Sequence, residues 1–256
     1  MADKLPHDYD TAMLEMLDII WGDGFMSPGG PQAVREILEG IDLRGQSVLD
    51  IGCGIGGVEQ VLVALGAARV TAVDVAAPLI ALARRRFIDH RITFVAIEPE
   101  KPLPFADGSF DVAFTKDAWL HVIDKLAMLR EVNRVLKPGG RLAGGDWMKG
   151  PEPYSADMIY FIELEGIPYH PTTLADYGSM LHEIGFEQVK LLDVNAWYRD
   201  PANQELARMK GELFEMMTEK LGEEARDHFI EDWRMLTVVL DKGELRPGRL
   251  WVTKAA

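Results

Sequence analysis

The chain has 256 residues, 27 of them basic and 41 acidic for a formal net charge of −14, and 48% of its residues are hydrophobic. An acidic balance argues against a nucleic-acid-binding surface, which needs a cationic footprint for phosphate, and the apolar fraction excludes a chain disordered throughout. The lone Cys53 excludes an internal disulfide, no apolar run approaches the ~20 residues of a membrane span, and the start Met1-Ala2-Asp3-Lys4 lacks a signal-peptide pattern, so a cytoplasmic protein without membrane contacts is expected.

Met13, Leu14, Leu17, Ile20 and Trp21 recur at helical spacing and predict an amphipathic helix ending at the glycine-rich stretch Gly22–Gly30. From residue 47 onward, short β-branched runs alternate with helical segments, the order of a mostly parallel sheet covered by helices. The predicted strands are Ser47–Ile51, Arg69–Val75, Ile92–Ile97, Asp111–Thr115, Arg141–Gly145, Gln188–Val194 and Arg249–Lys254. After the fifth strand, an aromatic and acidic segment with Tyr154, Tyr160, Glu163, Glu165 and Tyr169 leads into a helix that turns Leu174, Tyr177, Leu181 and Ile184 inward and ends at Gly185. Residues 203–241 read as two further helices, one with Leu206, Met209, Leu213, Met216 and Leu221 on a face. These added helices are expected to form a cap or lid.

The segment Leu49-Asp50-Ile51-Gly52-Cys53-Gly54-Ile55-Gly56-Gly57 sits where a strand turns sharply into a helix. Gly52, Gly54 and Gly57 fit the dinucleotide fingerprint, whereas Gly52, Gly54 and Gly56 fit the turn of methyl-donor enzymes, so the loop alone leaves both cofactor classes open. Asp74, at the end of the second strand, is placed to accept ribose hydroxyls in either class, or to cap the following helix.

Leu136-Lys137-Pro138-Gly139-Gly140 before the fifth strand, with Asp111–Asp117 closing the fourth, resembles the class I S-adenosylmethionine-dependent methyltransferases. The fold this implies is α/β and Rossmann-like: a seven-stranded, mostly parallel sheet with an N-terminal latch helix and a helical cap. A closer resemblance spans nearly the whole chain. Tyr9-Asp10 through Trp21-Gly22 to Phe25-Met26-Ser27-Pro28-Gly29-Gly30, and Lys116-Asp117-Ala118-Trp119-Leu120-His121, are similar to the phosphoethanolamine N-methyltransferases. This similarity implies S-adenosyl-L-methionine as cofactor, with contacts at Met26, Ser27, Gly52, Asp74, Val75, Lys116 and Asp117; Asp50, Gly54 and Gly56 join them from the loop, and Glu98 stands at the family's adenine-contacting aspartate. It also implies a Tyr9–His121 dyad over the substrate.

A sulfonium methyl is already activated, so the protein must chiefly align the acceptor and exclude water. An amine acceptor must first lose a proton; His121 has the chemistry of the base, Tyr9 that of a gate, and Asp117 is expected to orient the ammonium. The phosphate clamp of the resembled family is largely missing, because Trp147, Ile167 and Asp241 occupy positions where it carries a tyrosine, an arginine and a lysine, while Tyr169 matches. Trp119, Trp147, Tyr160, Glu163 and Tyr169 are expected instead to line an aromatic, acidic substrate site suited to a cation.

The expected organisation is one domain over residues 1–256, with a latch (1–46), a cofactor-binding core (47–150), a cap insertion (151–187) and C-terminal strands and helices (188–256). The expected function is methylation of a small-molecule amine lacking a phosphate. Thioether S-methylation, phosphoethanolamine N-methylation, a nicotinamide-dependent oxidoreductase and a non-catalytic cofactor-binding module are the alternatives. No metal site is expected, since His7, His90, His170, His182 and His228 lack ligand spacing, and the oligomeric state is left open.

Overall fold

The computed structural model describes residues 11–150 and 153–256. Its seven strands are β1 (Ser47–Ile51), β2 (Arg69–Asp74), β3 (Ile92–Ala96), β4 (Phe110–Lys116), β5 (Leu136–Lys149), β6 (Phe186–Asp193) and β7 (Leu245–Lys254). They form one sheet in the order β3-β2-β1-β4-β5-β7-β6. The pairs among β1 to β5 are parallel, and β7 runs antiparallel to both β5 and β6. All seven predicted strands are present. β5 is longer than expected, since Leu136 already pairs with Phe110 and its far end follows β7 as far as Lys149.

The central strand β1 is buried along its whole length, as a strand covered on both faces must be. Helices α3 (Gly57–Ala64), α4 (Ala77–Arg86) and α5 (Lys125–Val135) follow β1, β2 and β4. Asp124 caps α5 by accepting from the Ala127 amide at 2.9 Å. On α4, Arg84 donates to the Phe94 carbonyl and Arg86 to Asp18 at 2.6 Å.

The predicted first helix is α1 (Thr11–Trp21), followed by α2 (Gly30–Ile37). The later helices are α6 (Ala156–Glu165), α7 (Leu174–Ile184), α8 (Asn195–Lys210), α9 (Phe214–Leu221) and α10 (Glu223–Lys242); α7 packs against β6 and α5, and α10 against α6, α8 and α9. Three helices thus occupy the region read as two, because Gly211 interrupts the run after Lys210. The break also rotates the predicted apolar face: Met217 is buried where Met216 was expected, and Met216 is exposed. Among the described residues, no helix is long and apolar enough to cross a membrane.

Candidate active site

β1 ends in the glycine turn, and two close approaches explain its composition. Gly52 has φ +87°, and a Cβ there would lie 2.1 Å from Ala118 Cβ; only glycine fits both the conformation and the space. Gly57 donates its amide to the Gly24 carbonyl at 3.0 Å, and a Cβ on it would strike the Gly24 backbone, so this glycine serves the docking of the 22–30 loop on the start of α3. Asp74 reaches back across the turn: one oxygen accepts from the Gly54 amide at 2.9 Å and the other from the Ala76 amide at 2.9 Å. It therefore braces the loop and the start of α4, with acceptor capacity left on each oxygen.

Two side chains stand open beside this turn. The apolar Val75 is 56% exposed at the end of β2, and Glu98 is exposed just beyond β3. Asp50 differs from its expected place. It is buried beneath the loop and meets the equally buried Glu59 of α3, so it supports the turn from below. Burial pushes Asp50 up to about 7 and raises Glu59 well above the usual carboxylate range.

β4 ends in a buried polar cluster. Lys116 Nζ donates to Ser27 Oγ and to Asp117 Oδ2, both at 2.6 Å, so the N-terminal loop is fastened to the strand end. Asp117 has φ +55°, rare for a residue with a side chain, and its amide is held by the Gly145 carbonyl at 2.9 Å.

The following turn, Trp119–His121, is fixed from three sides. Asp146 on β5 is 1% exposed; its Oδ1 accepts from the Leu120 amide at 3.0 Å and its Oδ2 from Tyr177 Oη at 2.6 Å. The His170 amide donates to the Leu120 carbonyl at 2.7 Å, and Lys125 Nζ donates to the Val122 carbonyl at 2.9 Å and to the His170 carbonyl. His121 Nδ1 lies 2.7 Å from the Pro168 carbonyl oxygen. A carbonyl only accepts, so Nδ1 carries the hydrogen and Nε2 keeps its lone pair in the neutral ring. Burial lowers the His121 pKa below its ordinary value and favours that neutral form.

These elements open onto a cavity of about 540 Å³, within the range of small-molecule sites. Of the expected site residues, Met26, Ser27, Asp117, His121, Trp147 and Tyr169 line it. Trp119 does not: at 1% exposure it is packed in the core with Leu129 and Tyr177 in the same apolar cluster. Tyr160 and Glu163 lie instead on the exposed side of α6, and Tyr160 bonds Glu231. Tyr9 lies outside the described residues.

The cavity also has walls that the sequence reading left out. Phe229, Asp232 and Trp233 come from α10, Glu165 from the end of α6, and Met13, Leu17 and Trp21 from α1. Phe229 stacks on Trp233 at 5.9 Å, Trp233 meets Trp21 at 5.2 Å, and Phe161 stands edge-on to Tyr169. A signal was present in α10, where Asp232 interrupts the apolar stripe of Phe229, Trp233 and Leu236. Glu205 on α8 accepts from Trp21 Nε1 at 3.0 Å and ties the latch helix to the cap.

Among the described residues, no arginine lines the cavity. Ile167 occupies its wall, while Asp241 is away at the surface, paired with Arg199. Arg234 is engaged by Glu231, and Lys149 lies over the Tyr154 ring at 4.5 Å.

Residues 49–144 match a family model described as a methyltransferase domain. The chain is 30% identical over 250 residues to phosphoethanolamine N-methyltransferase 3 of Arabidopsis thaliana, an alignment covering 96% of this chain and 50% of that protein. It is 31% identical over 166 residues to an O-methyltransferase of Aspergillus nomiae, covering 62% of this chain and 73% of that protein. Its fold is shared with phosphoethanolamine N-methyltransferase 2 of Haemonchus contortus, solved with phosphomonomethylethanolamine and S-adenosylhomocysteine, at a TM-score of 0.86 and 22% identity over 98% of this chain and 59% of that one. The chain thus spans about half the length of the phosphoethanolamine N-methyltransferases it matches.

Proposed function

The chain belongs to the class I S-adenosylmethionine-dependent methyltransferases, and from that premise we propose that it methylates a small amine that carries no phosphate. When bound, S-adenosylmethionine supplies a methyl group already activated by a positive sulfur. The glycine turn, Asp74, Val75, Glu98 and the Met26–Ser27 loop are the residues that would hold it.

The remaining work falls to the chain. His121 Nε2 takes a proton from the acceptor's ammonium, which leaves a neutral nitrogen lone pair and a charged imidazolium. Asp117, neutralised in part by Lys116, orients the nitrogen. Trp147, Tyr169, Phe229 and Trp233 present ring faces to a cationic acceptor and exclude water. Tyr9 closing over His121 is part of the same proposal, carried by family similarity.

The observation that carries the choice of acceptor is the cavity lining. A phosphate dianion is best held by an arginine fork or several lysines, and this wall offers one lysine, Lys220, together with Ile167, Glu165 and Asp232. The test is incubation with methyl-labelled S-adenosylmethionine and a panel of amines, thioethers and phosphoethanolamine, with products read by mass spectrometry. Label on phosphate-free amines supports the reading; label on phosphoethanolamine alone, or on thioethers alone, overturns it.

A further inference from the structure

Two carboxyl groups on the cap side of the cavity have no part in the chemistry just described. Glu165 ends α6 and Asp232 lies on α10; both line the cavity, and they hydrogen-bond each other. Asp232 Oδ1 is buried without a hydrogen-bond partner among the described residues, and the charged groups that act on Asp232 are Glu165 and Glu231, both acidic. Two like charges out of water repel unless something positive joins them. Burial first, and then Glu165, push Asp232 up to about 9, so Asp232 holds a proton in the absence of a cation.

A second, separate observation marks the same place as a ligand site. Tyr169 also lines the cavity, and its hydroxyl is buried with no hydrogen-bond partner among the described residues. Tyr169 lies within the field of Glu165. Buried hydroxyls are normally partnered, and one left open near Glu165 awaits a donor. Phe161, Phe229 and Trp233 stand around this end with their rings, which suits an alkylammonium. The lysine of this wall, Lys220, is paired with Glu15 at 2.6 Å.

The cap pair and the reacting end belong to different parts of the fold. His121 and Asp117 stand on the carboxyl edge of the sheet, whereas Glu165 and Asp232 stand on α6 and α10. We propose that Glu165, Asp232 and Tyr169 form a second ammonium site, so that the acceptor is a diamine-class molecule with one nitrogen held in the cap and the other presented to His121. The acceptor's identity as a diamine rests on the methyl-transfer reading above; the existence of the site does not.

Calorimetric titration of the full chain, saturated with S-adenosylhomocysteine, with diaminobutane and with butylamine separates the two. A charge-assisted contact contributes about 1.5–3 kcal/mol, so the diamine should bind about tenfold or more tightly than the monoamine. That preference should vanish in the Glu165→Gln/Asp232→Asn double variant, while S-adenosylhomocysteine affinity holds. Diaminopropane and diaminohexane extend the series, and one diamine length should bind best. Equal affinities for diamine and monoamine at every length, or a diamine preference that survives the double variant, would overturn the site. A preference lost in the variant, together with no methyl transfer to any amine, would defeat the acceptor reading while supporting the site.

Discussion

His121 donates its Nδ1 hydrogen to the Pro168 carbonyl oxygen at 2.7 Å, and this one contact decides which ring nitrogen meets the cavity. The carbonyl belongs to the loop between α6 and α7, so the cap sets the tautomer of the proposed base. His121→Ala should lower kcat by about 10²-fold or more, the usual range for losing a positioned base, with S-adenosylhomocysteine affinity within about twofold of the wild type. Burial also lowers the pKa of this ring. The acid limb of the kcat–pH profile should therefore fall below pH 6.5 and disappear in the variant. A limb unchanged by the substitution would remove His121 from proton transfer.

The fold and the turns that close its strands were legible in the sequence because their signals are local. Gly52 announces a left-handed turn, Asp74 a strand end, and Lys116-Asp117 the close of a strand. The substrate side was read less well because it is assembled from distant segments. Asp232 is separated from Glu165 by three helices and one strand, and only the packing of α10 against α6 brings them together. Trp119 misled because an aromatic next to site residues was taken as part of the lining, whereas the tight turn at Trp119–His121 sends that side chain into the core. Tyr160 and Glu163 misled for a related reason: α6 has exposed and buried faces, and its apolar contacts are made by Met158 and Phe161.

Asp146 is a positioning residue for the His121 turn. It holds the Leu120 amide and is itself held by Tyr177. Tyr177→Phe leaves one Asp146 oxygen buried without its donor and should destabilise the protein by about 1–3 kcal/mol. Asp146→Ala frees the turn and should lower kcat more than it raises KM, whereas Asp146→Asn, which can still accept from Leu120, should recover most of the loss. Equal kcat in all three proteins would deny Asp146 this role.

Gly52→Ala tests the glycine turn. The added methyl faces Ala118 Cβ at 2.1 Å in a left-handed conformation, a backbone cost of about 1–2 kcal/mol before any clash. S-adenosylhomocysteine affinity should fall about tenfold or more, as read by calorimetry. Wild-type affinity would place the cofactor elsewhere.

Stability should depend on pH in a direction set by the buried acids. Burial pushes Asp50, Asp146 and Glu205 up to about 7, and Asp232 up to about 9. In the unfolded chain such groups ionise near pH ~4, so between those limits the native state binds more protons than the unfolded one. Stability from these groups is therefore greatest at the acidic end and falls as pH rises through about 7, and on to about 9 for Asp232. Melting temperatures should decline across that window, and Asp232→Asn should flatten the upper part. A melting temperature that rises steadily to pH ~9 would contradict these native-state pKa values.

The central claim is that the active site takes an amine without a phosphate. Its most direct measurement is competition between ethanolamine-type amines and phosphoethanolamine for the same labelled methyl donor, read as the ratio of kcat/KM values. The account predicts a ratio of about tenfold or more in favour of the phosphate-free acceptor, as expected where an anion meets carboxylates in place of an arginine fork. A ratio favouring phosphoethanolamine would contradict it, and would mean that Ile167 and Asp241 had been replaced by a phosphate site built from other residues.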